Sequence, residues 1–459
     1  MTPEEFRKYG HQAIDWVAEF LTHVERYPVL PPVKPGELTD ALPAHGPEQG
    51  ESMDTILADF ERLIVPACTQ WNHPGFLAYF ANSGTPEGIL GELLAAALNG
   101  NGMLWKTSPA VTELEQVTLR WLREWSALPA DWFGMILDTA STSSMHAIAG
   151  ARELADPESR TKGTSRGLVV YTSEQSHSSI EKGAIALGIG QDYVRRVPVD
   201  AEFRMRADVL EALIQADLAA GLRPCFVTAT VGTTSTTSVD PVPAIADICE
   251  RYKLWLHIDA AYAGSAALAP ELRWAFAGCE RADSMVMNPH KWLHVPMDCS
   301  VFYTSRPDVL RRAFSLIPEY LVSTADPRAV NLMDYGVPLG RRFRALKLWM
   351  VMRSYGHEGL AASIRDHLRL AKWFACQLEA DGRFEIAAPV HFSVVNFRYK
   401  GSDDDNRRIL DRVNAAGDVF LSSTVLNGKF TMHLAVGNFQ TTDRHLARAW
   451  ELVSQAAVT

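Results

Sequence analysis

Between about residues 134 and 304, short apolar runs alternate with helix-like stretches, and few architectures accept that alternation. The runs are 134–137, 168–172, 225–231, 254–258, 284–287 and 299–304. Each is short, apolar and bounded by polar or glycine-containing segments, as a buried strand is. Parallel strands need a crossover connection, usually a helix, so strands that alternate with helices form a mostly parallel sheet. The expected class is therefore α/β, a mostly parallel sheet flanked by helices. Ligands of such sheets bind beyond the carboxyl ends of the strands, which makes the residues after each run the candidates for chemistry.

Two of those ends are chemically distinctive. The run 254–258 leads into Asp259, a carboxylate that is costly to bury without a partner. It can act as a helix N-cap or as counter-charge to a bound cation. The run 284–287 stops at Asn288-Pro289, because the residue before a proline avoids helical geometry. Lys291 follows, between His290 and Trp292. A lone lysine is ordinarily solvated. In a partly dry cleft it loses its proton readily and becomes a nucleophile able to form an imine. Pyridoxal 5'-phosphate (PLP) needs that pair: a lysine to hold its ring and a carboxylate to keep the pyridine nitrogen protonated, so that the ring acts as electron sink.

HIDAAYAGS at 257–265, followed by NPHKWL at 288–293, resembles the PLP-dependent group II amino-acid decarboxylases, in their aromatic L-amino-acid (DOPA/tryptophan) branch. The likeness extends over nearly the whole chain. It implies the aminotransferase-like fold type I, with an N-terminal helical dimerisation segment at 1–85, a PLP-binding domain at 86–365 and a small C-terminal α/β domain at 366–459. It implies PLP contacts at Ala140, Ser141, Thr234, Ser284, Asn288 and His290, besides Lys291 and Asp259. His177 would stack on the cofactor ring and assist catalysis, where the residue alone reads as a loop histidine. Tyr320, in the aperiodic stretch 316–328, would protonate the substrate carbon after CO2 leaves. Taken alone it reads as a surface tyrosine.

WNHPGFLAYF at 71–80 reads by itself as an aromatic core cluster. The resemblance instead places Trp71, Tyr79 and Phe80 around an aromatic substrate side chain, with Asn101 and Met103 adding to the pocket, in one arrangement from a partner subunit. Gly340 would tilt preference towards indole or catechol substrates. The implied reaction is decarboxylation of tryptophan, 5-hydroxytryptophan, DOPA, tyrosine or phenylalanine to the arylalkylamine. The alternatives are an aromatic aldehyde synthase and a histidine decarboxylase. Aldehyde-forming relatives tend to lack the loop tyrosine or the stacking histidine, and this chain has both.

The remaining features narrow the class. The 459 residues carry a net charge of −10 with no long basic run, so no nucleic-acid partner is expected. The cluster Arg341-Arg342-Phe343-Arg344 reads as capping or lining a helix. Six cysteines are scattered without a Cys-x-x-Cys, and His290 and His294 lack the intervening glutamate of a metalloprotease motif, so no metal is expected. No apolar run reaches membrane-spanning length, and the first residues do not read as a signal peptide. A cytoplasmic location is expected, and the resemblance implies a homodimer, where the sequence alone allows the first helix to pack within its own chain equally well. Its first helix would start at Thr2-Pro3-Glu4-Glu5, a capping box with proline at the first helical position.

Overall fold

The computed structural model describes residues 1–316 and 328–458. The chain divides into two compact units. One comprises Met1–Ala81, Cys376–Glu385 and Phe397–Thr459, and the other comprises Asn82–Ala375 and Ile386–Asn396.

The larger unit is built on seven strands: β1 (Phe133–Leu137), β2 (Leu168–Ser173), β3 (Val194–Val197), β4 (Arg223–Thr230), β5 (Trp255–Asp259), β6 (Ser284–Met287) and β7 (Ser300–Thr304). Their order is β1-β7-β6-β5-β4-β2-β3. β3, β2, β4, β5 and β6 pair in parallel, and β7 is antiparallel to both β6 and β1. Two antiparallel pairings restore direction, so β1 points the same way as β6. The carboxyl ends of β1, β2, β4, β5 and β6 thus share one edge of the sheet.

Every residue of β2, β5, β6 and β7 is buried, which is how strands covered on both faces read. One cover is the helix Ala140–Ala155. Its Gly150 sits against Trp255 of β5, where an added Cβ would lie 2.8 Å from the indole. The arginine cluster enters the helical run Arg344–Asp381, which is broken at Gly356 (φ 65). Each of its guanidinium groups meets a carboxylate: Arg341 with Glu115 and Arg342 with Glu92 at 2.6 Å, Arg344 with Asp298 at 2.7 Å.

The N-terminal helix Pro3–Thr22 opens on the expected capping box, with Thr2 and Glu5 satisfying each other's backbone N–H groups. A second sheet contains β8 (Phe384–Ile386), β9 (Val394–Tyr399), β10 (Ser422–Leu426) and β11 (Lys429–Ala435), in the order β10-β11-β9-β8. Asn427 and Gly428 join β10 to β11 with φ of 50° and 74°. This two-residue loop with both φ positive matches the right-handed twist of its strands.

Candidate active site

The shared edge of the sheet assembles the candidate residues from segments far apart in sequence. β4, β5 and β6 end side by side, and their exits are stitched together by backbone hydrogen bonds. Val231 N–H donates to Asp259 O (2.9 Å), Ala260 N–H to Val286 O (3.0 Å) and Asn288 N–H to Ala261 O (3.0 Å). Asn288 then caps the single helical turn Pro289–Trp292, which carries Lys291. The chain reverses there because Pro289 lacks the N–H that a continuing strand would need.

Asp259 is buried, and its Oδ1 accepts the Ala261 N–H at 3.1 Å. Lys291 is half-buried. Desolvation pushes its ammonium below the ordinary lysine range, and the Asp259 charge only partly opposes the shift. His177 follows β2 and is exposed, yet desolvation lowers its pKa too. Asp259 raises it and Lys291 lowers it. The three side chains therefore lie within electrostatic reach of one another. Ser179 N–H donates to His177 Nδ1 (3.2 Å), which leaves the ring proton on Nε2 in the neutral form. His290 is held the same way, with Cys299 N–H on its Nδ1 at 2.9 Å, and burial lowers its pKa to about 4.

At the same edge the helix Ala140–Ala155 begins without a side-chain cap. First-turn N–H groups left free in this way, together with the helix dipole, make a site for an anion such as a phosphate. Ala140 is half-buried and Ser141 exposed at that start. Thr234 is exposed in the loop beyond β4, which turns at Gly232 (φ 86). Asn288 is buried, and its Oδ1 has no hydrogen-bond partner among the described residues. An uncapped helix start, an amine of lowered pKa, a buried acid and an unpartnered amide oxygen at one sheet edge fit PLP, and could hold its phosphate, aldehyde and ring.

Other expected residues fall elsewhere. Ser284 is at the opposite, amino end of β6, where its hydroxyl is engaged by Trp255 Nε1 (2.8 Å) and His257 Nδ1 (2.9 Å). Asn101, Met103 and Gly340 come together in the larger unit. Arg341 N–H donates to Asn101 Oδ1 (2.9 Å), Met333 N–H donates to Met103 O (3.2 Å), and a Cβ on Gly340 would lie 3.9 Å from Asn101 Nδ2. Trp71, Tyr79 and Phe80 belong to the smaller unit. There the aromatic run splits: Phe76, Leu77 and Ala78 are core, while Trp71 and Tyr79 face outward with rings 6.5 Å apart. Tyr79 has φ of 51°, an uncommon left-handed conformation, and is held by Ser422 Oγ (3.1 Å) on its N–H and His433 Nε2 (3.2 Å) on its carbonyl. Tyr320 lies outside the described residues.

Sequence reasoning missed His257 and Ser144, whose side chains meet at 3.3 Å beneath the acid. The signal was present, since residues two apart on a strand share a face and His257 precedes Asp259 by that spacing.

The chain is similar to known proteins over its whole length. Residues 35–400 match the pyridoxal-dependent decarboxylase conserved domain. Tryptophan decarboxylase 2 of Oryza sativa subsp. japonica is 40% identical over 474 residues, covering 100% of this chain and 95% of the relative. A phenylacetaldehyde synthase of Arabidopsis thaliana is 39% identical, with 100% and 96% covered. The crystal structure of Oryza sativa TDC with PLP and tryptamine superposes with a TM-score of 0.97 at 37% identity, covering 100% of this chain and 98% of that one. The chain belongs to the pyridoxal-dependent decarboxylase family and is a PLP-dependent carboxy-lyase of fold type I.

Proposed function

We propose that this enzyme decarboxylates aromatic L-amino acids to the corresponding arylalkylamines and CO2. The observation that carries the reading is the placement of Lys291 and Asp259 at the carboxyl ends of adjacent strands, in a chain 40% identical to a tryptophan decarboxylase. PLP supplies an aldehyde for covalent attachment and a protonated ring that accepts the electrons released when a bond at the substrate α-carbon breaks.

The chain supplies the rest. Lys291 Nζ, held below the ordinary lysine pKa, presents a neutral amine as nucleophile. Asp259 would pair with the ring nitrogen and hold its proton in place. The N–H groups of Ala140 and Ser141 would hold the phosphate end, His290, Asn288 and Thr234 would lie beside the cofactor, and His177 would stack on its ring. Ser284 belongs to this set through the residues it supports. Tyr320 Oη delivers a proton to the α-carbon, assistance typically worth roughly 10²–10⁴ in rate. Trp71, Tyr79 and Phe80 are assigned to the substrate side chain, since flat apolar walls suit an aromatic ring, and Met103, Asn101 and Gly340 are assigned to it separately.

The working form is a homodimer. Leu90, Leu93, Leu94 and Leu98 stand exposed on the helix Pro86–Leu98, as do Phe6 and Ile14 on the N-terminal helix. Exposed apolar side chains spaced along one helix, as on Pro86–Leu98, mark an interaction face. Among the described residues no helix is long and apolar enough to cross a membrane. All six cysteines are free thiols, which suits a reducing, cytoplasmic setting.

The 39% identity to an aldehyde synthase makes aldehyde formation the second reading. A panel of tryptophan, 5-hydroxytryptophan, DOPA, tyrosine, phenylalanine and histidine, assayed for amine, CO2, hydrogen peroxide and ammonia, decides. Amine and CO2 in equal amounts from an aromatic acid support the proposal. Peroxide and ammonia matching the CO2 overturn it.

A further inference from the structure

Trp255, His257 and Asp259 alternate along β5 and so face the same side of the sheet. That side is covered by the helix Ala140–Ala155, and the contacts run in order. Trp255 meets Gly150, and His257 meets Ser144 nearer the helix start. Strand and helix are therefore antiparallel, and the next step of the same progression carries Asp259 towards Ala140 and Ser141.

His257 is fully buried between the rings of Phe226 and Phe302, with centroids 5.9 and 6.3 Å away. A polar ring among apolar neighbours is costly unless its nitrogens are paired, and both are. Ser284 Oγ lies 2.9 Å from Nδ1 and Ser144 Oγ 3.3 Å from Nε2. Trp255 Nε1, which can only donate, donates to the same Ser284 Oγ at 2.8 Å. One orientation lets three donors of the chain act in sequence. The indole N–H donates to Ser284, the Ser284 hydroxyl to His257 Nδ1, and His257 Nε2–H to Ser144. The imidazole is neutral, since burial holds its pKa near 4.

The three elements joined at this ring are those to which the proposed site assigns the cofactor. Ser144 is on the helix whose start would take the phosphate, His257 is on the strand that ends in Asp259, and Ser284 is on the strand that leads into Lys291. We infer that His257 is a positioning residue for PLP: through Ser144 and Ser284 it fixes the spacing between the phosphate helix, the acid and the lysine. This rests on the site reading above and adds a residue to it. A histidine that only filled the core would contribute to stability and leave the cofactor's binding and spectrum alone.

The test is cofactor affinity and spectrum in the full-length protein. In His257→Phe, an apolar ring of similar shape, the PLP dissociation constant is expected to rise about tenfold or more, the scale on which partners outside the first shell act on a bound group. The pH at which the bound cofactor's absorbance titrates is expected to move as well. His257→Asn keeps an acceptor for the Ser284 hydroxyl and should fall between His257→Phe and the parent. Tyr171→Phe, on β2, removes a buried hydrogen bond to Asp217 of the helix Ala207–Ala219 (2.7 Å) and should lower the melting temperature with neither cofactor change. If His257→Phe melts lower yet binds PLP within about twofold of the parent and titrates at the same pH, the inference is overturned. Should that variant fail to fold, the Ser144→Ala/Ser284→Ala pair carries the test: weakened cofactor binding supports the inference, and unchanged binding overturns it. A Lys291→Ala protein that still holds PLP covalently would instead bring down the site reading itself.

Discussion

Lys291 and Arg344 are both largely withdrawn from water, and both sense a carboxylate, yet their environments act in opposite directions. For Arg344 burial lowers the pKa, but the hydrogen bond and charge of Asp298 outweigh it, and the guanidinium is held more firmly charged than usual. For Lys291 burial also lowers the pKa, and Asp259 does not make up the difference. A cation whose charge the fold secures is part of the framework. One whose charge the fold penalises has an amine available for chemistry. Arg341 and Glu115 form a second framework pair, buried at 2.6 Å and bonded as well to the backbone of Ile136.

The comparison fails if the two cations are interchangeable, and the largest effect comes from making them alike. Lys291→Arg installs a permanent charge, and turnover should fall to background while the far-ultraviolet circular dichroism stays that of the parent. Arg341→Ala does the reverse. It leaves Glu115 buried without its partner, costs about 3–5 kcal/mol of stability in chemical denaturation, and should leave the PLP dissociation constant of the folded protein unchanged. Asp259→Asn is smaller and falls on the site alone. A charge-assisted hydrogen bond contributes about 1.5–3 kcal/mol, so cofactor affinity, measured by equilibrium titration, should weaken roughly 10- to 150-fold.

Acid sharpens the comparison by the least. Burial lowers His146, His257 and His290 to about 4 and His294 to about 3, from the usual 6.5. Between those values the unfolded chain binds protons that the folded one does not, so stability falls as pH drops from about 6.5 towards 4. Asp240 works against this trend. Burial raises it to about 6, and its contribution is lost as pH rises through that value. Burial raises Glu115 and Asp283 in the same direction as Asp240, and lowers His73 to about 4 like the other histidines. With five histidines against three carboxylates, the melting temperature should be lower at pH 5 than at pH 7.5.

How much of this was legible in the sequence differs by region, and for physical reasons. The strands 284–287 and 255–259 could be read almost to the residue, because a run buried on both faces is mainly apolar until the polar residue that ends it, with Ser284 and His257 the exceptions. β3 (VRRV) was missed, since two adjacent arginines in a four-residue edge strand leave no such run. The Asn427-Gly428 turn was missed although its dipeptide is a strong hairpin signal. Lys291 and Asp259 could be paired because each follows a strand, whereas the Arg341-Arg342-Phe343-Arg344 cluster gave no hint that Glu92, Glu115 and Asp298 would answer it, as those carboxylates lie far off in the chain. Ser284 was assigned to the cofactor. Its hydroxyl is spent on Trp255 and His257, a link that only the register of β5 against β6 makes visible.

The most direct test is to reduce the purified holoprotein with borohydride, digest it and locate the pyridoxyl mass by peptide sequencing. The label should sit on the peptide carrying Lys291 and nowhere else. A label on another lysine, or a functional protein that takes up none, would contradict the account.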